Sequence, residues 1–184
     1  NQATHIPSFN SPFGKGRPGW HVECSAMAIK TLGEQIDIHG GGIDLIYPHH
    51  EAEIAQSEGA TGKIPFSKFW LHVAPVSYQG KKMSKSLGNL VMVSDLLKKY
   101  SANVIRWYLI SHHYRRPFEF KEKDLEKSKI EFLRNLEYAR NQESKDVPDE
   151  NTFNKFLSAL DDDLNTPLAL KIINETRKSK GSGA

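Results

Sequence analysis

The chain has 184 residues, 38% of them hydrophobic, enough for one core and a small appended helical unit and for no more than two compact pieces. Its 25 basic against 22 acidic residues leave a net charge of +3, too mild by itself to argue for a nucleic-acid partner; a single cysteine, Cys24, excludes an internal disulfide framework and fits a reducing setting. No apolar run is long enough to span a bilayer and the first residues lack the basic-then-apolar layout of a signal peptide, so a soluble, cytoplasmic chain with no membrane partner is expected.

Pro7, Pro12 and Pro18, with Ser8, Ser11, Gly14 and Gly16 between them, predict an extended loop before Trp20. From His21, the spacing of Val22, Ala26, Ile29 and Leu32 predicts a helix that carries Cys24 in its first turn and ends at Gly33 in a left-handed cap. Gln35 to His39 reads as a buried strand running into a turn at Gly40-Gly41-Gly42. Pro48 opens a helix from about His49 to Gly59, and a second strand fits Trp70 to Ser77 ahead of a basic loop, Gly80 to Gly88. Strand, helix and strand in this order predict a parallel α/β unit. Beyond Val93, short helices fit Ser94 to Tyr100 and Asn103 to Ser111, and His112 to Phe120 reads as irregular. Lys121 to about Lys145 is a long amphipathic helix with Leu125, Ile130, Leu133, Leu136 and Tyr138 on its apolar side, closed by Pro148. Helices over Thr152 to Leu160 and Pro167 to Lys178 follow, the second capped by Thr166. The first residue, Asn1, and the linker-like Gly181-Ser182-Gly183-Ala184 create an expectation that both ends are cut from a longer chain.

Three groups of residues carry chemistry. His49 and Glu53 stand four apart on a predicted helix and can grip one ion from one face, with Cys24 offering a thiolate from the preceding helix; Cys, His and Glu are all zinc ligands, and the bland alternatives are a surface pair and a small buried hydrophobe. In Lys82-Met83-Ser84-Lys85-Ser86, the ammonium groups of Lys82 and Lys85 can follow the charge of a triphosphate and stabilise an anionic transition state, where a generic basic loop would be a solvated turn. The run His39 to Asp44 lets backbone approach a ligand at Gly40 and Gly42 and offers Asp44 to ribose hydroxyls, or it is simply a tight connection between elements.

These segments, Gly19 to Met27, His39 to Asp44, Pro48-His49-His50-Glu51-Ala52-Glu53 and Lys82 to Ser86, occur in the order found in cysteinyl-tRNA synthetases, and the chain resembles that class I family. The resemblance runs from about Ser11 to Phe120 and resumes at Asp161-Asp162-Asp163-Leu164-Asn165-Thr166-Pro167. It implies an α/β fold: the second half of a class I synthetase Rossmann-like domain (1–93), followed by an α-helical region made of a stem-contact stretch (94–145) and the start of an anticodon-side helical domain (146–184). It implies that Cys24, His49 and Glu53 are three of four zinc ligands, with the zinc binding the sulfur of the substrate cysteine. Trp20 matches a wall of the amino-acid pocket, His39 a histidine beside it, Gly40, Gly42 and Asp44 the adenosine-side turn, and Lys85 the lysine that touches ATP. The partners implied are L-cysteine, ATP with Mg2+ and tRNA(Cys). Because zinc separates a thiolate from a hydroxyl, no editing site is needed.

The departures are as informative. The family's first Rossmann half holds the fourth zinc ligand, a further cysteine, and a His-x-Gly-His motif, and neither His49-His50 nor His112-His113 sits in that pattern. The expectation is a chain that is inactive alone and works only when a missing amino-terminal half is supplied in cis or in trans. Two alternatives stand beside it: a cysteine ligase of mycothiol biosynthesis, which shares the zinc site and lysine loop, and a noncatalytic synthetase-like binding protein.

Overall fold

The computed structural model describes residues 7–141 and 149–181. The chain divides into two compact units, Asn1–Val73 and Ala74–Ala184.

In the first unit, the segment expected to be an extended loop contains a short antiparallel hairpin, β1 (Phe9–Ser11) and β2 (Gly14–Gly16). Its turn is closed by Ser11, whose Oγ donates to the Gly14 carbonyl at 2.7 Å. Helix α1 (Trp20–Leu32) ends where Gly33 adopts φ 100° and returns an N–H to the Ile29 carbonyl. With ψ at 177° this is a positive-φ exit that a glycine tolerates, not the left-handed cap expected.

Strand β3 (Ile36–Gly42) is longer than expected, because the three glycines read as a turn continue it, pairing in parallel with Leu71, His72 and Val73 of β4 (Ser67–Val73). The tight turn comes later, as a 3-10 turn over Ile43–Leu45 and a kinked turn over Ile46–His50 in which Tyr47 is extended. Regular helix therefore starts at Glu51, not His49, and α2 runs Glu51–Thr61. The parallel β3-α2-β4 arrangement agrees with the α/β reading. The expected strand over Trp70 to Ser77 is two strands, since Val73 ends β4 and a separate strand, β5 (Val76–Tyr78), opens in the other unit.

The second unit is built on a three-stranded sheet in the order β6-β5-β7, from β5 (Val76–Tyr78), β6 (Lys81–Lys82) and β7 (Phe118–Glu119). The last of these lies inside the stretch expected to be irregular. Helices α3 (Val93–Leu96) and α4 (Ala102–Ile110) come next, the latter capped by Ser101, whose hydroxyl accepts from the Val104 N–H. Tyr100, Val104, Ile105, Tyr108, Phe120 and Leu125 form the core, with Val76, Met83 and Phe132 packed on it. Full burial of side chains of this size contributes about 1.5–3 kcal/mol each.

Helix α5 (Glu122–Asn141) buries Leu125, Ser128 and Asn135, while Ile130 and Leu133, expected on its apolar side, are half exposed. The buried stripe contains two small polar residues, which hides it from a reading based on apolar spacing. Asn135 Nδ2 donates there to Asn174 Oδ1 at 2.7 Å. Helices α6 (Glu150–Asp161) and α7 (Thr166–Gly181) complete the unit. The side chain of Asn165, rather than Thr166, accepts the Leu168 N–H at the start of α7. The expected end of α5 near Lys145 and Pro148 lies outside the described residues.

Candidate functional site

The first unit gathers its chemistry around one carboxylate. Glu53, in the first turn of α2, is fully buried. Its Oε2 lies 2.9 Å from His39 Nε2. A carboxylate only accepts, so His39 carries its proton on that nitrogen and donates it. Glu53 Oε1 has no hydrogen-bond partner and faces His49 Nε2 at 3.7 Å. Such an orphaned oxygen is costly unless something cationic meets it.

Cys24 of α1 reaches the same place: its sulfur, a His49 ring nitrogen and a Glu53 oxygen lie within 4.8 Å of one another. His49 Nδ1 is engaged by His21 Nδ1 at 2.6 Å, which fixes the ring and leaves Nε2 toward Glu53. A sulfur, an imidazole nitrogen and an unpartnered carboxylate oxygen make a donor set that fits zinc. A second group, His39, His50 and Glu53, shares the same carboxylate. The Cys24 thiol is pushed up by burial first, then by the carboxylates of Glu53 and Glu23, so without a cation it stays protonated.

Trp20, the first residue of α1, remains 59% exposed while its ring lies 4.5 Å from that of His49. It sets an open aromatic face beside the cluster of Cys24, His49 and Glu53. Burial, followed by the neighbouring His39, His72 and His49, brings His50 down to about 4, so it is neutral near pH 7. His50 Nδ1 shares a hydrogen bond of 2.8 Å with His72 Nε2.

His21, His50, His72 and Trp70 belong to this cluster as well, beyond the residues to which the sequence assigns a role. One signal could have found them: five of the chain's eight histidines fall between positions 21 and 72. Strand register supplies the rest, because pairing places Trp70 opposite His39 and its ring 4.8 Å away. Gly41 is the glycine whose smallness matters most here, since a Cβ there would meet His50 Cε1 at 2.9 Å. Gly40 and Gly42, the two glycines named as binding residues, lie on paired strand; a Cβ on Gly42 would collide with Asp44 Oδ1 and one on Gly40 would make ordinary contact. Asp44 is exposed on the turn that follows.

Lys82 and Lys85 belong to the second unit. The Gln79-Gly80 turn, with φ of 52° and 72°, joins β5 to β6, and Glu119 Oε1 accepts the Gly80 N–H at 3.0 Å. Met83 packs on the core, Lys82 stands on β6, and Lys85 is exposed at the tip of the loop beyond it.

A family model described as tRNA synthetases class I (C) catalytic domain matches residues 1–130. The chain belongs to that family. The cysteine-tRNA ligase of Legionella pneumophila (strain Corby) is 50% identical over 175 residues, 91% of this chain and 37% of its own length. That of Rickettsia canadensis (strain McKiel) is 49% identical over 172 residues, 91% of this chain and 36% of its own. This synthetase chain thus spans little more than a third of the curated relatives it matches. Among solved structures, LeuRS of Agrobacterium radiobacter K84, in a ternary complex with tRNA and LeuAMS, aligns with a TM-score of 0.68 at 15% identity, over 96% of this chain and 30% of the other. That likeness bears on fold alone, and it agrees with the class I synthetase architecture expected from the motifs. No helix among the described residues is long and apolar enough to cross a membrane.

Proposed function

We propose that this chain is the second half of the catalytic core of a cytoplasmic cysteine-activating ligase, with the first helices of its tRNA-side region, and that it works joined to the amino-terminal half that the resemblance implies. The observation that carries this reading is the convergence of Cys24, His49 and Glu53 on an unpartnered buried carboxylate oxygen, in a chain half identical to cysteine-tRNA ligases. The names of those relatives favour transfer RNA over an amino sugar as the acceptor.

In the first step a carboxylate oxygen of L-cysteine attacks the α-phosphorus of ATP, held with Mg2+. The bond from that phosphorus to the bridging oxygen breaks, and pyrophosphate leaves. In the second a terminal ribose hydroxyl of the tRNA attacks the cysteinyl carbonyl and AMP leaves. Zinc at Cys24, His49 and Glu53 supplies a Lewis acid that prefers the substrate's thiolate to a serine hydroxyl. His39 and His21 hold Glu53 and His49 in place, and Trp20 walls the amino-acid pocket. Gly40, Gly42 and Asp44 serve the adenosine side, and Lys82 and Lys85 offset charge gathering on the phosphates.

One face of the sheet in the first unit supports the need for more chain. Ile38 and Phe69, opposite each other across β3 and β4, are 65% and 68% exposed, although parallel strands are ordinarily covered on both faces. Cysteine-dependent exchange of pyrophosphate into ATP tests the reading. The chain alone is expected to give none, and exchange is expected to return when the part of the Legionella pneumophila relative that this chain does not match is supplied on a second polypeptide. Lys85→Ala should then lower it on the order of a hundredfold, as for the loss of one transition-state charge contact. Robust exchange by the chain alone overturns the half-enzyme reading, and silence of a complex shown to have formed overturns the activity.

A further inference from the structure

Asn89 lies just beyond the lysine loop, outside the pentapeptide that drew attention in the sequence. Its side-chain Oδ1 accepts the Ser84 N–H at 2.9 Å, and its Nδ2 donates to the Lys82 carbonyl at 3.3 Å. Both ends of one amide are therefore used on the two residues that flank Met83, in the way a neighbouring strand would use its backbone. From the other side the Met83 N–H donates to the Val76 carbonyl at 3.3 Å, and the Met83 side chain packs on the core. Residues 82 to 84 are thus gripped between β5 and Asn89.

The rest of the loop closes on itself. Ser84 Oγ accepts the Leu87 N–H at 3.3 Å and lies 3.2 Å from Ser86 Oγ. Gly88, at φ 63°, donates its N–H to the Lys85 carbonyl at 3.2 Å and turns the chain back toward Asn89. Lys85 is carried at the exposed tip of this closed turn, while all of these side-chain hydrogen bonds involve Ser84 or Asn89.

We propose that Asn89 is a positioning residue: its amide holds the Lys82–Ser84 backbone in one shape and thereby fixes where the Lys85 ammonium stands. This rests on the reading of the loop as the phosphate-handling element. A lysine on a long flexible stem is a poor point charge unless its root is fixed, and charge stabilisation is effective when the donor is in place before the reaction begins. Without Asn89 the Ser84 N–H and the Lys82 carbonyl turn to water and the root of Lys85 samples many positions.

Two measurements test this. In the 184-residue chain itself, Asn89→Ala should speed hydrogen exchange of the Ser84 amide by on the order of tenfold or more while amides of Tyr108 and Leu125 keep their protection. Unchanged Ser84 exchange overturns the proposal. In the complemented enzyme, Asn89→Ala should lower pyrophosphate exchange by on the order of tenfold when Lys85 is present, and by less than about twofold when Lys85 is already alanine. Asn89→Asp, which keeps the acceptor and loses the donor, should fall between. Equal losses in both backgrounds mark an ordinary structural role and overturn the inference. A hundredfold effect of Lys85→Ala with a silent Asn89→Ala removes Asn89 alone, whereas a silent Lys85→Ala removes the loop reading and this inference with it.

Discussion

The first unit buries a carboxylate and two imidazoles; the second buries a cluster of aromatic and aliphatic side chains. Glu53, Ser57, His49 and His50 are among the most buried residues of the first, while Ile38, Tyr47, Ile64 and Phe69 are all more than 60% exposed. In the second, Tyr108, Leu125, Val104 and Ile105 are among the most buried side chains, and charges such as Lys98, Lys99 and Asp95 pair at the surface. A fold that spends its interior on a carboxylate, a thiol and several imidazoles has that much less apolar burial to hold it together. The comparison teaches that the candidate metal ligands sit in the first unit and the aromatic and aliphatic core cluster in the second, and substitutions can separate the two.

The largest effect is expected on metal. Protein stripped with chelator and reloaded with zinc should hold about one equivalent, and Cys24→Ser or His49→Ala should reduce it to almost none, since each removes one of few ligands. Equal zinc in wild type and both variants would sink the site. Next comes Leu125→Ala, which empties a fully buried position of the second unit. It should cost about 2–5 kcal/mol in denaturant unfolding and leave zinc content alone. Loss of zinc in this variant would show that the two units are not separable. Smaller again is Gly41→Ala, which pushes a methyl against His50. An overpacked site of this kind typically costs about 1–3 kcal/mol. It should lower zinc affinity together with stability, because His50 is packed among the rings around Glu53.

Much of the site was legible because its residues act locally or form motifs. Four-residue spacing put His49 and Glu53 on one side, even though regular helix starts only at Glu51 and a kinked turn delivers His49. His50, His72 and Trp70 were not legible, since strand pairing and a turn bring them together from distant positions. The glycine run misled for a related reason. Three glycines favour a turn by local propensity, yet here their lack of side chains lets β3 lie close against His50 and Asp44, and the ladder with β4 keeps them extended. On α5 the buried face passes through Ser128 and Asn135, so no count of apolar spacing finds it. Asn89 escaped because nothing in its neighbours says that a side chain will bond backbone five and seven residues back.

The smallest expected effect lies on the surface of the second unit, where it separates fixed shape from charge. Asp163 takes a bidentate grip from Arg115, with Nε at 2.5 Å and Nη2 at 3.0 Å, and also accepts from the Tyr114 hydroxyl. The guanidinium, then the phenol, hold its carboxyl down from 3.8 to about 2. Asp163 and Leu164 both sit at positive φ, 51° and 52°, in the turn between α6 and α7. Asparagine tolerates that backbone as well as aspartate does, so Asp163→Asn removes the charge and keeps the turn. A carboxyl whose folded value lies below its unfolded one stabilises the fold above that unfolded value, and loses the contribution as pH falls toward the folded value. The variant should therefore melt slightly below wild type at pH 7, and the gap should close as pH drops from about 4 toward 2. Because the pair is exposed, 1 M salt at pH 7 should also narrow the gap. A gap that persists unchanged at pH 2.5 and in high salt would mean that Asp163 acts through the shape of the turn and not through its charge.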